Sequence, residues 1–460
     1  MAKFWGSRFE GNSDELADKF SFSVRYDYRL AIYDVIGGIA HATMLGKQGI
    51  IPQEDADRIV EGLREIGRRI EEGRFSFDLT EEDVHSCIQT ALKKKIGRAA
   101  DRLHTARSRN DLIVLDMKLY CLVEVTVLID GIARVQKAMV AFAERYQDVI
   151  IPAYTHLQSA QLVLLAHHVL AYVEMLERDK SRLFGALKRM DELPLGSCAL
   201  SGTSLPTDRE FLAGELGFHR VSANSMDAVS DRDFLMETLS DLAILGVHCS
   251  RVAEDLIIWA TSEFRFVEID GSLCTGSSIM PHKKNPDMLE LIRGESATLI
   301  SNAQRLLTLL KGLPLTYNRD LQLDKPPLFE SVEKTKDILG LLAKVFATMT
   351  VNKDAIEEKI HHEYFFSVDM MEYLIRKGVT YRQAHDTIGR MMKECVDQGR
   401  RIADLSEKEL KKYSRFFDPD VKDLLCPARS VQGKQSAGST NPRLVKQQIQ
   451  KWKKRFRQKR

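Results

Sequence analysis

The apolar positions of this chain recur with helical period over most of its length, and in two stretches they leave no polar face. From Leu112 to about Phe142, hydrophobic side chains that include Ile113, Val114, Leu119, Leu122, Val127, Ile132 and Met139 cover nearly the whole helix circumference. The stretch from Phe234 to Trp259 repeats the pattern. A helix that is apolar all round is buried on several sides, and both stretches exceed ordinary helix lengths. They predict a bundle of long helices, with partner subunits covering faces that one chain leaves open. Another helix is expected from beyond Leu328 to about Met349. Residues 53–73 instead alternate charges with Ile59, Leu63, Ile66 and Ile70, the pattern of a helix with one face in water. The run from Val149 to Val173 has no charged residue and is long enough to span a bilayer, but Pro152, His156, Gln158, Gln161, His167 and His168 within it argue against a membrane segment.

These patterns make the expected class all-α, and the scarcity of proline, 12 in 460 residues, agrees with it. A chain of this length exceeds one compact core. The charged stretch from Asn352 to Lys359 marks a boundary. The expected division is an N-terminal helical domain over 1–108, a central domain of long helices over 109–355 and a C-terminal helical domain over 356–460.

A formal net charge of +2 gives no reason to expect a nucleic-acid partner. The last eighteen residues do carry nine bases and no acid, with Trp452 and Phe456 among them. With no second basic patch or recognition motif, this tail reads as a solvated terminal helix rather than a surface for nucleic acid or lipid. Seven cysteines without a C-x-x-C pair argue for a reducing compartment. The opening Met-Ala-Lys-Phe-Trp-Gly lacks the apolar core of a signal peptide. A cytoplasmic, soluble protein is expected.

Chemistry concentrates in the stretch from Thr275 to Asp287, which packs Ser277, Ser278, His282, Lys283 and Lys284 into a loop punctuated by Gly276, Pro281 and Pro286. Gly276 frees the backbone before the serine pair. Asn285-Pro286-Asp287 reads as a helix start, with Asn285 capping, and Glu290 one turn on is within reach of Lys283. Clustered cations and N–H donors suit a reaction that removes a proton from carbon beside a carboxylate. A Ser- and Lys-rich surface turn before a capped helix is the plainer alternative.

The loop resembles the signature of the fumarase/aspartase superfamily of lyases, and its Lys283-Lys284-Asn285-Pro286-Asp287 version is similar to the argininosuccinate lyase family. Further blocks with the same resemblance follow in order along nearly the whole chain. They are Phe4-Trp5-Gly6-Ser7-Arg8-Phe9, a segment beginning at Ser23, Glu81-Glu82-Asp83-Val84-His85, His104-Thr105-Ala106-Arg107-Ser108-Arg109-Asn110-Asp111, Tyr154-Thr155-His156-Leu157-Gln158, a small-residue turn through Cys198, the segment from Asn224 to Asp233, and Tyr317 through Lys325. The C-terminal region matches more loosely.

The resemblance implies a fumarase-like all-α fold, elongated, with a central long-helix bundle flanked by the smaller domains, and a homotetramer whose active sites collect residues from three chains. It implies reversible β-elimination of argininosuccinate to arginine and fumarate without a cofactor; the sequence has no G-x-G-x-x-G, Walker loop or zinc-ligand set. Ser277 would be the base, Lys283 would stabilise the carbanion, Glu290 would orient Lys283, and His156 would serve the second proton transfer. Ser23, Ser108, Arg109, Asn110, Thr155, Asn285, Tyr317, Gln322 and Lys325 would hold substrate. For Ser23, a cap on the next helix is an equal alternative. Arg232 is either a carboxylate partner or an ion-pair partner of Asp231 or Asp233. The Glu81–His85 block reads as an orienting pair or helix start rather than a metal site, since no third ligand follows at a suitable spacing. This chain departs from the family's usual Gly at Ala106 and Cys198, Gln at Leu112, Thr at Leu115, Pro at Leu162 and Glu at Leu323. An adenylosuccinate lyase-like enzyme and a non-catalytic, crystallin-like relative are the competing readings.

Overall fold

A computed structural model describes residues 14–458; the Phe4-Trp5-Gly6-Ser7-Arg8-Phe9 element, Lys459 and Arg460 lie outside them. The expected all-α class is what the described residues adopt, apart from three two-stranded antiparallel ribbons. The five longest helices are Arg109–Arg145, Leu165–Met190, Asp233–Ala260, Asp287–Leu310 and Lys325–Thr348. Two of them contain the stretches read as apolar all round. Among the described residues no helix is long and apolar enough to cross a membrane; the uncharged 149–173 run forms the Ile150–Thr155 and Gln158–Leu164 hairpin and then the start of the Leu165–Met190 helix.

The chain divides into two compact units, each assembled from three segments. The first takes residues up to Ile129 with Ser181–Ile244 and Thr298–Thr335. In it the Gln53–Glu71 helix buries Ile59, Leu63 and Ile66 and turns its charges outward, as its pattern predicts. It meets the Ala31–Lys47 helix so closely that a Cβ on Gly46 would lie 2.7 Å from that of Ala56. Tyr120 packs edge-on against Tyr33 and Phe329, tying the Arg109–Arg145 helix to the Ala31–Lys47 and Lys325–Thr348 helices.

The head of the Arg109–Arg145 helix is fixed by Asp111, whose carboxylate accepts from Ser108 N at 3.0 Å, Gly196 N at 3.0 Å and Cys198 N at 2.8 Å. Burial pushes this carboxyl up to about 6 despite those donors. Both departures from glycine sit at this knot. Ala106 has φ 55 and Cys198 φ 52, left-handed conformations in which a Cβ is strained, and Cys198 Sγ lies 3.2 Å from Ala106 O. A left-handed L-residue costs about 1–2 kcal/mol, against which glycine loses about 0.5–1 kcal/mol of chain entropy. Ala106→Gly and Cys198→Gly should therefore each stabilise the fold by up to about 1 kcal/mol. An upward shift in the urea midpoint checks this, and an unchanged or lowered midpoint would contradict it.

The second unit takes Asp130–Lys180, Leu245–Ala297 and the chain from Lys336 on. Phe142 packs edge-on to Phe346 at 5.8 Å, and a C-terminal cluster buries Met370, Leu374, Ile388, Met391, Phe417 and Val421. The basic tail is a helix, Pro442–Gln458, but it is docked rather than free. Val445, Ile449 and Trp452 are buried, the Trp452 indole N–H donates to Glu174 at 3.1 Å, and Lys453 and Arg455 pair with Glu144 and Glu177. Three of the tail's residues thus anchor on carboxylates, which accounts for part of its charge.

Candidate active site

The residues expected to act fall into two groups. Ser23, Ser108, Arg109, Asn110, Arg232, Tyr317, Gln322 and Lys325 belong to the first unit; Thr155, His156, Ser277, Lys283, Asn285 and Glu290 belong to the second.

In the first unit a cavity of about 220 Å³ is lined by Ser23, Arg109, Asn110, Tyr317, Gln322 and Lys325. Asp27, Glu82, Asp83, His85 and Arg319 share its wall. Arg109 opens its helix, and its guanidinium is clamped by the start of the Val84–Ile96 helix. Its Nε lies 3.0 Å from Asp83 Oδ2 and its Nη2 donates to Ser86 Oγ at 2.7 Å. Asp83 is also the cap of that helix, accepting from Ser86 N at 2.8 Å. Burial pushes the Asp83 carboxyl up, but His85, Arg109 and the Ser86 donors outweigh it and hold it below the usual range.

Opposite charges brace the other cations as well. The Lys325 ammonium lies 3.1 Å from Asp324 Oδ1, and Arg232 Nε donates to Asp324 Oδ2 at 2.5 Å. All three side chains are buried, so one carboxylate spans two cations. Arg232 therefore does not pair with the side chain of Asp231 or Asp233. It donates to the Asp231 carbonyl at 2.8 Å, Lys118 takes the Asp231 carboxylate, and the buried Arg232 Nη2 has no hydrogen-bond partner. Ser23 does not cap its helix with its side chain; its hydroxyl donates to Asp27 at 2.5 Å. Burial pushes the Asp27 carboxyl up to about 6. Gln322 donates to Ser21 O at 2.7 Å and Asn110 to Ala199 O at 3.0 Å, while Ser108 Oγ accepts from Asn110 N at 3.3 Å. Burial raises the Tyr317 hydroxyl above its ordinary range, so it stays a neutral donor. Cations held in place by acids can receive carboxylates without reorganising.

In the second unit Thr155 ends one strand of the hairpin and pairs with Gln158, so His156 and Leu157 are the two turn residues. Their φ values are 55 and 56. A two-residue hairpin turn of this type needs positive φ at both central positions and favours Asn-Gly. Holding His and Leu there costs about 1–3 kcal/mol each, a strain that collects at functional sites. His156 also lines a cavity of about 600 Å³ with Tyr154, His168, Asp255, Trp259 and Phe264.

The Thr275–Asp287 loop closes on itself, with Thr275-Gly276 paired to Lys284-Asn285. Two expectations change here. Gly276 lies in an extended strand with no positive φ. Asn285 sits in the opposing strand rather than capping, and the helix begins at Asp287, where the Pro286 carbonyl accepts from Leu289 N and Glu290 N. Strand pairing across the loop has claimed both residues. Ser277 Oγ accepts from Ile279 N at 3.3 Å and Met280 N at 3.0 Å. Lys283 is exposed and forms no ion pair with Glu290; Lys284 pairs with Glu268 at 3.1 Å.

Sequence reasoning passed over Asp324, Asp83 as the Arg109 partner, and Asp27. A carboxylate directly before Lys325 is a usable signal; the partners of Arg109 and Ser23 are apparent only once the chain is folded. For a metal, one group among the described residues brings ligand-type atoms within 4.8 Å of one another: Asp34, His85 and Asp116. The Arg107 charge lowers both carboxyls, and a guanidinium so placed already supplies positive charge to the group and repels a further cation.

Residues 7–300 match the model of the Lyase family and residues 364–432 that of the argininosuccinate lyase C-terminal region. Argininosuccinate lyase of Geotalea daltonii is 45% identical over 97% of this chain and 98% of its own. That of Pelotomaculum thermopropionicum is 43% identical over 100% of both. Among solved structures, EDDS lyase in complex with formate matches with a TM-score of 0.84 and 25% identity, covering 98% of this chain and 91% of that one. Class II fumarase of Schistosoma mansoni matches with a TM-score of 0.78 over 91% and 95%, and at 16% identity it speaks for the fold alone. With near-complete coverage by such relatives, the chain belongs to the argininosuccinate lyase family of the fumarase/aspartase superfamily.

Proposed function

We propose that this enzyme, a carbon–nitrogen lyase, cleaves argininosuccinate reversibly to arginine and fumarate, the closing reaction of arginine biosynthesis. The observation that carries the mechanism is the pair of backbone N–H groups meeting Ser277 Oγ. A serine hydroxyl is far too weak an acid to act as a base unless its alkoxide is stabilised, and donors aimed at the oxygen supply that stabilisation. Ser277 takes the proton beside a carboxylate, Lys283 offsets the charge of the carbanion, Glu290 orients Lys283 once substrate is bound, and the C–N bond to the guanidine then breaks. His156, on its strained turn, serves the second proton transfer.

Arg109, Ser108, Asn110, Asn285 and Thr155 hold the carboxylates, Arg232 offers its unpartnered Nη2, and Ser23, Tyr317, Gln322 and Lys325 select the arginine portion. The active assembly is a homotetramer in the cytoplasm that draws each site from several chains. Apolar side chains left on the long helices support this, Val123 at 49% exposure and Leu291 at 57% among them.

Purified protein should release fumarate from argininosuccinate, followed by its ultraviolet absorbance. Turnover of malate, aspartate or adenylosuccinate with argininosuccinate untouched would overturn the substrate assignment. Binding without turnover would favour the crystallin-like reading.

A further inference from the structure

We infer that His85 is a positioning residue for this reaction: as an imidazolium in the cavity wall, paired with Asp34, it sets the first turn of the Val84–Ile96 helix and so the clamp on Arg109. The inference presupposes the lyase reaction proposed above.

The geometry is a meeting of three elements. His85 is 4% exposed, and its Nδ1 lies 3.3 Å from Asp34 Oδ1 and 3.7 Å from Asp116 Oδ2. Asp34 comes from the Ala31–Lys47 helix and Asp116 from the Arg109–Arg145 helix, and both are buried. Neither Asp116 oxygen has a hydrogen-bond partner. Two buried carboxylates around one imidazole cannot both stay charged if the ring is neutral. The groups facing His85 are Asp34, Asp83, Asp116, Asp27 at the end of the Val24–Asp27 helix and, from the segment before the Arg109–Arg145 helix, Arg107 and His104. Burial disfavours the imidazolium, yet the carboxylates prevail and raise it to about 9. Burial and Asp34 push Asp116 the other way, well above the carboxylate range, so Asp116 keeps its proton.

His85 follows Asp83 by two residues and precedes Ser86 by one, and those two side chains are the ones that grip Arg109. A shift of that turn moves the guanidinium directly. A misplacement of about 1 Å can cost about a hundredfold in rate.

The sign of the pH dependence follows from the raised value. The ion pair is complete below the ordinary histidine range and is lost as pH rises through about 9.

The test uses the full-length enzyme, with KM for argininosuccinate measured from pH 6 to 10 on about half-unit steps and thermal midpoints alongside. The wild type should show an alkaline rise in KM; His85→Gln should raise KM about tenfold or more with a smaller change in kcat, and should abolish that rise. His85→Gln/Asp34→Asn should recover part of the lost KM, since it removes the stranded carboxylate. Asp116→Asn should stay within about threefold of wild type. Should His85→Gln not fold, Asp34→Asn replaces it, with the alkaline rise expected at lower pH. A folded His85→Gln enzyme with wild-type KM, a lowered midpoint with KM unmoved, or an Asp34→Asn enzyme with an unmoved alkaline rise would overturn the inference. The charge itself is read without turnover from the ring nitrogen shifts of histidine-labelled protein at pH 8, the His85 signal being the one missing in His85→Gln. A neutral ring there overturns the inference even if the lyase reaction stands, whereas an imidazolium in a protein inert to argininosuccinate overturns the reaction alone.

Discussion

Ser277→Ala is expected to lower kcat by about 10³-fold, within the range of a lost general base, while argininosuccinate still binds with an affinity close to wild type. Two backbone donors, from Ile279 and Met280, converge on Ser277 Oγ. Alanine keeps the loop's strand pairing, because Thr275-Gly276 and Lys284-Asn285 hold it through backbone hydrogen bonds. The deletion therefore removes the proton acceptor and leaves the receptor groups where they are. Stopped turnover in the fumarate assay with calorimetric binding retained is the expected pair of results; a variant with near-normal rate would place the base elsewhere.

Asp324→Ala should destabilise the first unit by about 3–5 kcal/mol, the cost of removing one partner from a buried ion pair. Here the loss is double-sided, because the Asp324 carboxylate meets Lys325 on one oxygen and Arg232 on the other, with all three side chains at 3% exposure or less. Two stranded cations repel each other and call in water. The KM for argininosuccinate should rise with the fall in stability, since Lys325 lines the cavity. Denaturant titration together with steady-state kinetics measures both, and a variant stable to within about 1 kcal/mol of wild type would mean that other groups carry the two charges.

Much of the fold was legible because it depends on local period. The helices through Leu112–Phe142 and Phe234–Trp259 follow from apolar residues on every side, and the structure buries most of these within long helices while leaving Val123, Val127, Ile244 and Val247 exposed. The Lys325–Thr348 helix was expected to start a little later, after Leu328; its first turn instead begins with Lys325 and the two prolines that follow, which tolerate that position. The candidate site was legible as a set of residue types, through resemblance, and much less as geometry. Nothing local says that Arg109 will be taken by Asp83 and Ser86, or Arg232 by Asp324, since those partners lie 23 to 92 positions away. The same holds for Asn285, where a cap signal was correct chemistry in the wrong contest: pairing with Thr275 won. The positive φ at His156 and Leu157 contradicts the turn preference of both residues. Conflict of that kind between local preference and final structure marks places where function has overridden economy.

The contact between Cys198 Sγ and the Ala106 carbonyl couples the two positions. Each residue stands where glycine would relieve the backbone, and the two touch directly while Cys198 N also donates to the Asp111 carboxylate, so the merit of a change at one depends on what occupies the other. Glycine placed at both positions together is expected to change stability by an amount that departs from the sum of the two single changes.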